Sequence, residues 1–373
     1  MCQSTPIQRD NTGLTDLSRG QFMSCYHPLI RFETWEKYKC NDGHMAYKAK
    51  VEKLQTGENY EDLESQEKRL NTRLRNIQII PCGKCIGCRL EYSKQWATKG
   101  LYEAECHKEN WFLTITYDQD HLPDANTMID TKTGEELGEN PFGSLKEKDL
   151  TDFIKRLRTQ YKRKYNKTGI RYMACGEYGD QGNRPHYHMI AFNLPIPIET
   201  LKFHEYNENY EAMYRCTELE QIWGKGMIVA AEVNWNTCAY VARYITKKVG
   251  IPTQEDYYKC LGIQPEFFRM SRRPGIGREY YEKHKEEIYK KDELIIKKYG
   301  GGTMKVKPPK YYDKLYDLEY PEEFEKIKKE RKKQTEIINQ IKYRQTSLYK
   351  QYQLKAEEET KEAKTKALKR TKV

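Results

Sequence analysis

Nowhere in the chain do apolar residues run on for the roughly 18 positions that a membrane-spanning helix needs, and no charged-then-apolar leader opens it. Neither insertion into a bilayer nor export is therefore expected. No internal repeat is present, which sets aside solenoids and propellers. Apolar residues are scarce (37%) and mean hydropathy is −0.98, so a core has to come from segments where they concentrate. The eleven cysteines are an odd number and, without a leader, belong to a reducing compartment. They are read as free thiols or metal ligands and not as a disulfide framework.

What is present is length, positive charge and tyrosine. A chain of 373 residues holds one large or two modest domains with a real core. The 66 Lys+Arg against 55 Asp+Glu leave a net charge of +11, which favours a polyanionic partner, though Lys-rich solvated helices give the same balance. Thirty tyrosines interleave with basic residues, as in Tyr161-Lys-Arg-Lys-Tyr165. Such rings stack on unpaired bases or serve ordinary amphipathic packing.

Pattern divides the chain. Residues 1–22 are polar and read as a disordered lead-in; Met23 opens a fresh stretch, so they form an extension. Residues 23–110 hold short apolar patches (Tyr26 to Phe32, Ile77 to Ile80), the charged stretch Glu52 to Arg75 and a Cys cluster, and pack on the core. Residues 111–250 form that core. Residues 251–320 are a carboxy-terminal extension in which Gly300-Gly-Gly302 and Pro308-Pro309 mark a linker. Residues 321–373 are Lys/Glu-rich, with little to bury, and form a helical or disordered tail.

Within the core, Trp111 to Tyr117 alternates like a strand. A helix from Leu145 opens on a Ser144-x-x-Glu147 capping box. It carries the stripe Leu150, Phe153, Ile154, Leu157, Tyr161, with Lys155, Arg156, Arg158 and Lys162 largely off it. Arg171 to Glu177 and His186 to Phe192 form a hairpin around a loop near Asp180 to Asn183, and Met227 to Val233 is a further strand. Asn236 caps a helix running to Val249. The order predicts an α+β class: a central antiparallel sheet flanked by helices.

The chemistry lies on two of these elements. Side chains at i and i+2 of a strand share a face, so His186 and His188 project together, each offering a nitrogen to a divalent metal. An isolated His-x-His is as readily an inert strand edge. Glu177 lies across the hairpin and completes a two-imidazole, one-carboxylate set suited to Mg²⁺ or Mn²⁺, or else pairs with Arg184. On the next helix, Cys238, Val241, Ala242, Ile245 and Val249 form the apolar stripe. Tyr240 and Tyr244 share a face nearly opposite to it, with Arg243 and Lys247 nearby. A tyrosine oxygen attacking a DNA phosphorus gives a 5′-phosphotyrosine and a free 3′-hydroxyl, with a metal stabilising the developing charge. Two tyrosines on one face can alternate in that role. Separately, Cys82-x-x-Cys85-x-x-Cys88 reads as a metal knuckle for structural Zn²⁺, with an iron–sulfur cluster or a plain Cys-rich turn as alternatives. Its fourth ligand is open among Cys25, His27, Cys40, Cys106 and His107.

Phe112-Leu-Thr-Ile-Thr-Tyr117, Arg184-Pro-His-Tyr-His188 and Tyr240-Val-Ala-Arg-Tyr-Ile-Thr-Lys247 resemble, in order, the three motifs of the HUH-endonuclease replication initiators. More closely, the chain resembles rolling-circle initiators of microviruses, single-stranded DNA phages of the gokushovirus type. Tyr26-His-Pro-Leu29, Pro81-Cys-Gly-Lys-Cys-Ile-Gly-Cys-Arg89 and Cys175-Gly-Glu-Tyr-Gly179 are also similar to that group. The likeness spans roughly Ser24 to Gly250. It implies an HUH-like sheet and an enzyme that nicks and religates DNA. His186 and His188 would be metal ligands with Glu177 the third, Tyr240 and Tyr244 nucleophiles, and Lys247 the motif lysine. Thr114, Thr116, Arg184 and Arg243 would be candidate DNA contacts. It further implies single-stranded or supercoiled phage origin DNA, host helicase and replication machinery as partners, in the host bacterial cytoplasm without a membrane. A relaxase or transposase of the same chemistry, or a non-catalytic DNA-binding protein, are the alternatives.

Overall fold

The computed structural model describes residues 25–40, 45–53, 75–179, 182–207, 210–243, 252–297, 301–342 and 347–367. The expected lead-in (residues 1–22) and the far end of the expected tyrosine helix (residues 244–249) lie outside them. Strands β1 (Leu29–Lys39), β2 (Met45–Lys53) and β3 (Arg75–Ile80) form a small antiparallel sheet with β1 in the middle. Helix α1 (Ile86–Glu105) and strand β4 (Asn110–Thr116) follow. A ribbon of β5 (Met128–Ile129) and β6 (Glu136–Gly138) leads to helix α2 (Glu147–Tyr165). The hairpin of β7 (Arg171–Tyr178) and β8 (Pro185–Phe192) comes next. Then come β9 (Leu201–Tyr206), β10 (Ala212–Cys216), α3 (Thr217–Trp223), β11 (Ile228–Glu232), α4 (Trp235–Arg243), α5 (Pro252–Cys260) and β12 (Phe267–Met270). The central sheet has seven strands in the order β12-β7-β8-β4-β11-β10-β9, antiparallel throughout. The class is α+β, as the alternation of patterns predicts.

Period-two alternation sorts the strand residues onto two faces. One face carries Leu113, Ile115, Tyr187, Met189, Ile228 and Ala230 against α2, whose Leu150, Phe153, Ile154, Leu157 and Tyr161 are all buried. Each such side chain contributes about 1.5–3 kcal/mol on burial. The other face carries Phe112, Met173, Cys175, Ile190 and Val229 beneath α1 and α4. The helices come close there because α1 has Gly100 at the crossing: a Cβ would lie 3.2 Å from Met173 Sδ and 3.4 Å from Cys238 Sγ.

Both expected helix caps are corrected. The residue preceding α2 is Lys146, which makes no side-chain cap bond. Ser144 Oγ instead accepts from Gln264 N–H at 2.9 Å, and the Glu147 carboxylate takes both arms of Arg269 (2.5 and 2.7 Å); tertiary partners outcompete the local box. Helix α4 starts earlier than Asn236. Asn234 Oδ1 accepts Thr237 N–H at 3.0 Å while Thr237 Oγ1 accepts Asn234 N–H at 2.9 Å, a reciprocal cap.

The carboxy-terminal portion buries more than its composition suggests. Helix α6 (Arg278–Lys291), hairpin β13 (Leu294–Lys297) and β14 (Thr303–Val306), and helices α7 (Lys310–Glu319), α8 (Pro321–Lys342) and α9 (Ser347–Ala367) follow β12. The glycine run read as a linker falls between two paired strands, with Lys297 opposite Thr303. A third core gathers Tyr102, Tyr281, Tyr289, Tyr312, Ile296 and Phe324. Three of its tyrosine hydroxyls donate to Ile295 O, Asp313 Oδ1 and Gly277 O at 2.8–3.0 Å, so these rings fill a core and do not await bases. Arg331 of the supposedly unpartnered tail bridges Asp292 (2.9 Å) and Asp313 (2.8 Å).

Lys99 on α1 is a buried cation, 8% exposed. Its Nζ lies 3.2 Å from the Trp96 ring centroid and 5.3 Å from that of Tyr311. Among the described residues no carboxylate forms a salt bridge with it. Burial pushes its pKa down from 10.5 to about 8. The folded state thus releases this proton more readily than the unfolded chain. The penalty is complete below pH 8 and fades as pH rises towards 10.5. At about 1.4 kcal/mol per pH unit it amounts to about 3 kcal/mol, of which the ring contacts return about 1–2 kcal/mol. Lys99→Met is expected to raise stability by about 1–2 kcal/mol at neutral pH and by almost nothing near the top of that range. Denaturant midpoints at the two pH values check this, and a pH-independent gain would overturn it.

Candidate active site

Register brings the site together. On the central sheet Glu177 faces His186 and Cys175 faces His188, while on the other side Thr116 faces His186 and Thr114 faces His188. All six side chains therefore lie on the face covered by α1 and α4. His188 and Glu177 are buried, 2% and 3% exposed. Glu177 Oε1 lies 2.9 Å from His186 Nε2 and 2.7 Å from His188 Nε2, and the two imidazole nitrogens are 3.1 Å apart. Tyr240 of α4 donates its hydroxyl to Glu177 Oε1 at 3.0 Å and lies 3.4 Å from His188 Nε2.

The rings are held from behind. His186 Nδ1 donates to Arg184 O at 3.1 Å, and His188 Nδ1 meets Thr114 Oγ1 at 3.1 Å. Phe112 stacks on His188 with centroids 5.4 Å apart. This leaves both Nε2 atoms aimed at one point. Two nitrogen lone pairs and a carboxylate oxygen that close, away from water, repel one another unless a proton or cation sits among them. Glu177 Oε2 is buried with no hydrogen-bond partner among the described residues, so the carboxylate has an acceptor to spare. The three residues are a metal-ligand set by their atoms' proximity, and the donor set fits a divalent ion.

Charge within the cluster is strongly coupled. Burial alone would raise Glu177, but His186 and His188 outweigh it and hold the carboxyl well below the usual range. Burial depresses His186, and the Glu177 carboxylate reverses that to leave it above its ordinary value. Tyr240 is pushed well above the ordinary phenol value, first by burial and then by Glu177; Arg243 pulls weakly the other way, its guanidinium 5.7 Å from the ring centroid. A phenol in this setting stays protonated until positive charge is added nearby.

The remaining sequence-predicted residues take distinct places. Tyr240 is half-buried rather than set on a purely polar face. Helix α4 turns its stripe towards α1 at Gly100, so the opposite flank overhangs β8 and the Tyr240 ring meets His188 edge-on at 4.8 Å. Thr116 Oγ1 donates to Met227 O at 3.2 Å. Arg184 spans Tyr117 O and Gln119 Oε1, both at 3.1 Å, which ties down the strand entering the His pair. Arg243 is exposed at the end of α4. Tyr244 and Lys247 lie outside the described residues. Sequence reasoning missed Phe112 as the ring under His188, though its i−2 relation to Thr114 signals the shared face. It also missed the Asn234–Thr237 cap, legible as Asn-x-x-Thr, which fixes where the tyrosine helix begins.

A family model described as replication-associated protein ORF2 matches residues 110–249, from the start of β4 to beyond α4. The chain is 35% identical over 259 residues to replication-associated protein ORF2 of Spiroplasma virus 4, covering 68% of this chain and 73% of that protein. It is 30% identical over 269 residues to replication-associated protein VP4 of Bdellovibrio phage phiMH2K (70% and 75%). Against replication-associated protein ORF4 of Chlamydia phage 1 the identity is 27% over 238 residues (63% and 53%). No solved structure matches the chain. Fold, site and likeness define a class, the phage replication proteins. Within it, the chain belongs to the replication-associated protein ORF2 family.

Proposed function

We propose that the protein is a metal-dependent DNA nicking and strand-transfer enzyme that initiates rolling-circle replication of a circular single-stranded DNA phage genome. One observation carries the reading: a tyrosine hydroxyl, two imidazole nitrogens and a carboxylate oxygen converge within 3.4 Å of their neighbours at one end of the sheet. A structural ion pair would need neither a second histidine nor a phenol. Membership of a phage replication family supports DNA as the substrate.

His186, His188 and Glu177 would hold Mg²⁺ or Mn²⁺, whose chemistry when bound is to polarise a phosphoryl oxygen and stabilise developing charge. The Tyr240 oxygen attacks the scissile phosphorus, forming a tyrosyl O–P bond as the bond from phosphorus to the 3′-oxygen breaks. The phenol proton leaves towards its hydrogen-bond acceptor, and the departing 3′-oxygen takes up a proton to become a hydroxyl. Attack of a 3′-hydroxyl on the phosphotyrosine reverses the step and religates. One phosphoester replaces another, so no nucleotide hydrolysis is required. Thr114 and Arg184 keep the imidazoles in register, and Tyr244, one turn beyond Tyr240, is the second nucleophile.

The test uses purified full-length protein, Mn²⁺ and labelled single-stranded oligonucleotides tiled across the phage genome. One oligonucleotide is expected to give an SDS-stable adduct that EDTA prevents. Absence of any adduct across the tiled set, with the protein folded and Mn²⁺ present, would reject the reading.

A further inference from the structure

Away from the histidines, the densest set of metal-ligating side chains lies where the small sheet meets α1. Cys82 and Cys85 follow β3, Cys88 sits in the first turn of α1, and Cys25 precedes β1. Their four sulfurs all lie within 4.8 Å of one another. Cys25 Sγ is 4.0 Å from Cys85 Sγ, and Cys82 Sγ is 4.0 Å from Cys88 Sγ. A disulfide needs about 2.05 Å, whereas sulfurs about 2.3 Å from a tetrahedral zinc stand about 3.8 Å apart. The observed spacing is that of a tetrahedral edge.

The surroundings suit thiolates. Backbone N–H groups of Lys84 and Cys85 donate to Cys82 Sγ at 3.4 and 3.3 Å, and those of Tyr26 and Cys88 donate to Cys85 Sγ at 3.4 and 3.5 Å. Cys82 N–H donates to Cys25 Sγ at 3.2 Å. Gly83, at φ +74°, makes the tight turn between the first two cysteines of the knuckle. Amides aimed at sulfur offset the charge that deprotonated ligands bring. The other candidates for fourth ligand are engaged or distant. His27 turns outward to Glu358 at 2.5 Å, and Cys106 caps the far end of α1, donating to Tyr102 O.

We infer that Cys25, Cys82, Cys85 and Cys88 form a closed structural Zn²⁺ site that fastens the start of β1 to the start of α1. The site ties together segments 57 or more residues apart and steadies the helix that backs α4 at Gly100. It does not depend on the nicking chemistry.

Metal analysis of full-length protein should find one tightly held zinc per chain, and Co²⁺ exchanged into it should show charge-transfer absorption of four thiolates. Cys25→Ser should lower affinity at least tenfold in competition with a chromophoric chelator, whereas Cys106→Ser should leave it unchanged. If Cys25→Ser does not fold, the wild-type Co²⁺ spectrum alone decides, since three thiolates give a weaker band than four. Absence of tight zinc, a three-thiolate spectrum, unaltered affinity in Cys25→Ser, or acid-labile sulfide from an iron–sulfur cluster would each overturn the assignment.

Discussion

His188→Ala is expected to lower the rate of adduct formation by about a thousandfold or more, equivalent to about 4 kcal/mol of transition-state stabilisation. His188 is the innermost of the three ligands, 2% exposed, with Phe112 beneath its ring and Thr114 on its far nitrogen. No other side chain among the described residues can swing into its place. Truncation leaves the buried Glu177 carboxylate with one imidazole, so the remaining pair holds a divalent ion poorly. His186 is the more accessible ligand, with 17% of its side chain exposed, and a water can stand in for it. His186→Ala should therefore lose less at high Mn²⁺ than His188→Ala does. The exposed His204 on β9 serves as the control, and His204→Ala should react at the wild-type rate. Equal adduct yield from His188→Ala and wild type, with matching circular dichroism, would remove these histidines from the chemistry.

Much of this site was legible because it rests on short periodicities. Two histidines two residues apart on a strand must share a face, and a nine-residue separation across a tight hairpin must bring Glu177 opposite His186. The apolar stripe of α2 likewise announced itself. What stayed hidden depends on partners distant in sequence. Cys25 is one of five candidate ligands until the chain folds over some sixty residues to bring it beside Cys85. The Ser144–Glu147 pattern is a sound local cap that lost to Gln264 and Arg269. The carboxy-terminal third looked too charged to bury anything. Its core consists of tyrosines whose hydroxyls find acceptors and of Arg331 held between two aspartates, and composition counts all of these as polar. Tyr240 falls between the two cases. Helical spacing put it off the apolar stripe, and the position of α1 turned that off-stripe flank onto the histidines.

That flank carries the second large effect. Tyr240→Phe keeps the ring that meets Phe112 and His188 edge-on and removes only the hydroxyl bonded to Glu177. Fold and metal affinity should therefore survive while the nucleophile is lost. The expected result is a deep fall in first-cleavage adduct, with a residue of reaction through Tyr244, which lies four positions on and outside the described residues. Tyr240→Phe combined with Tyr244→Phe should leave no adduct at all, because no phenol oxygen remains on that helix to hold the 5′-phosphate. The comparison also separates the roles of the pair. If the two phenols act in turn, Tyr244→Phe should cleave once and accumulate the covalent form, failing to pass the strand to a second site on a two-site oligonucleotide. If they are interchangeable, both single variants should lose similar amounts of both steps. An adduct that persists in the double variant would place the nucleophile elsewhere, and mapping its tryptic phosphopeptide would show where.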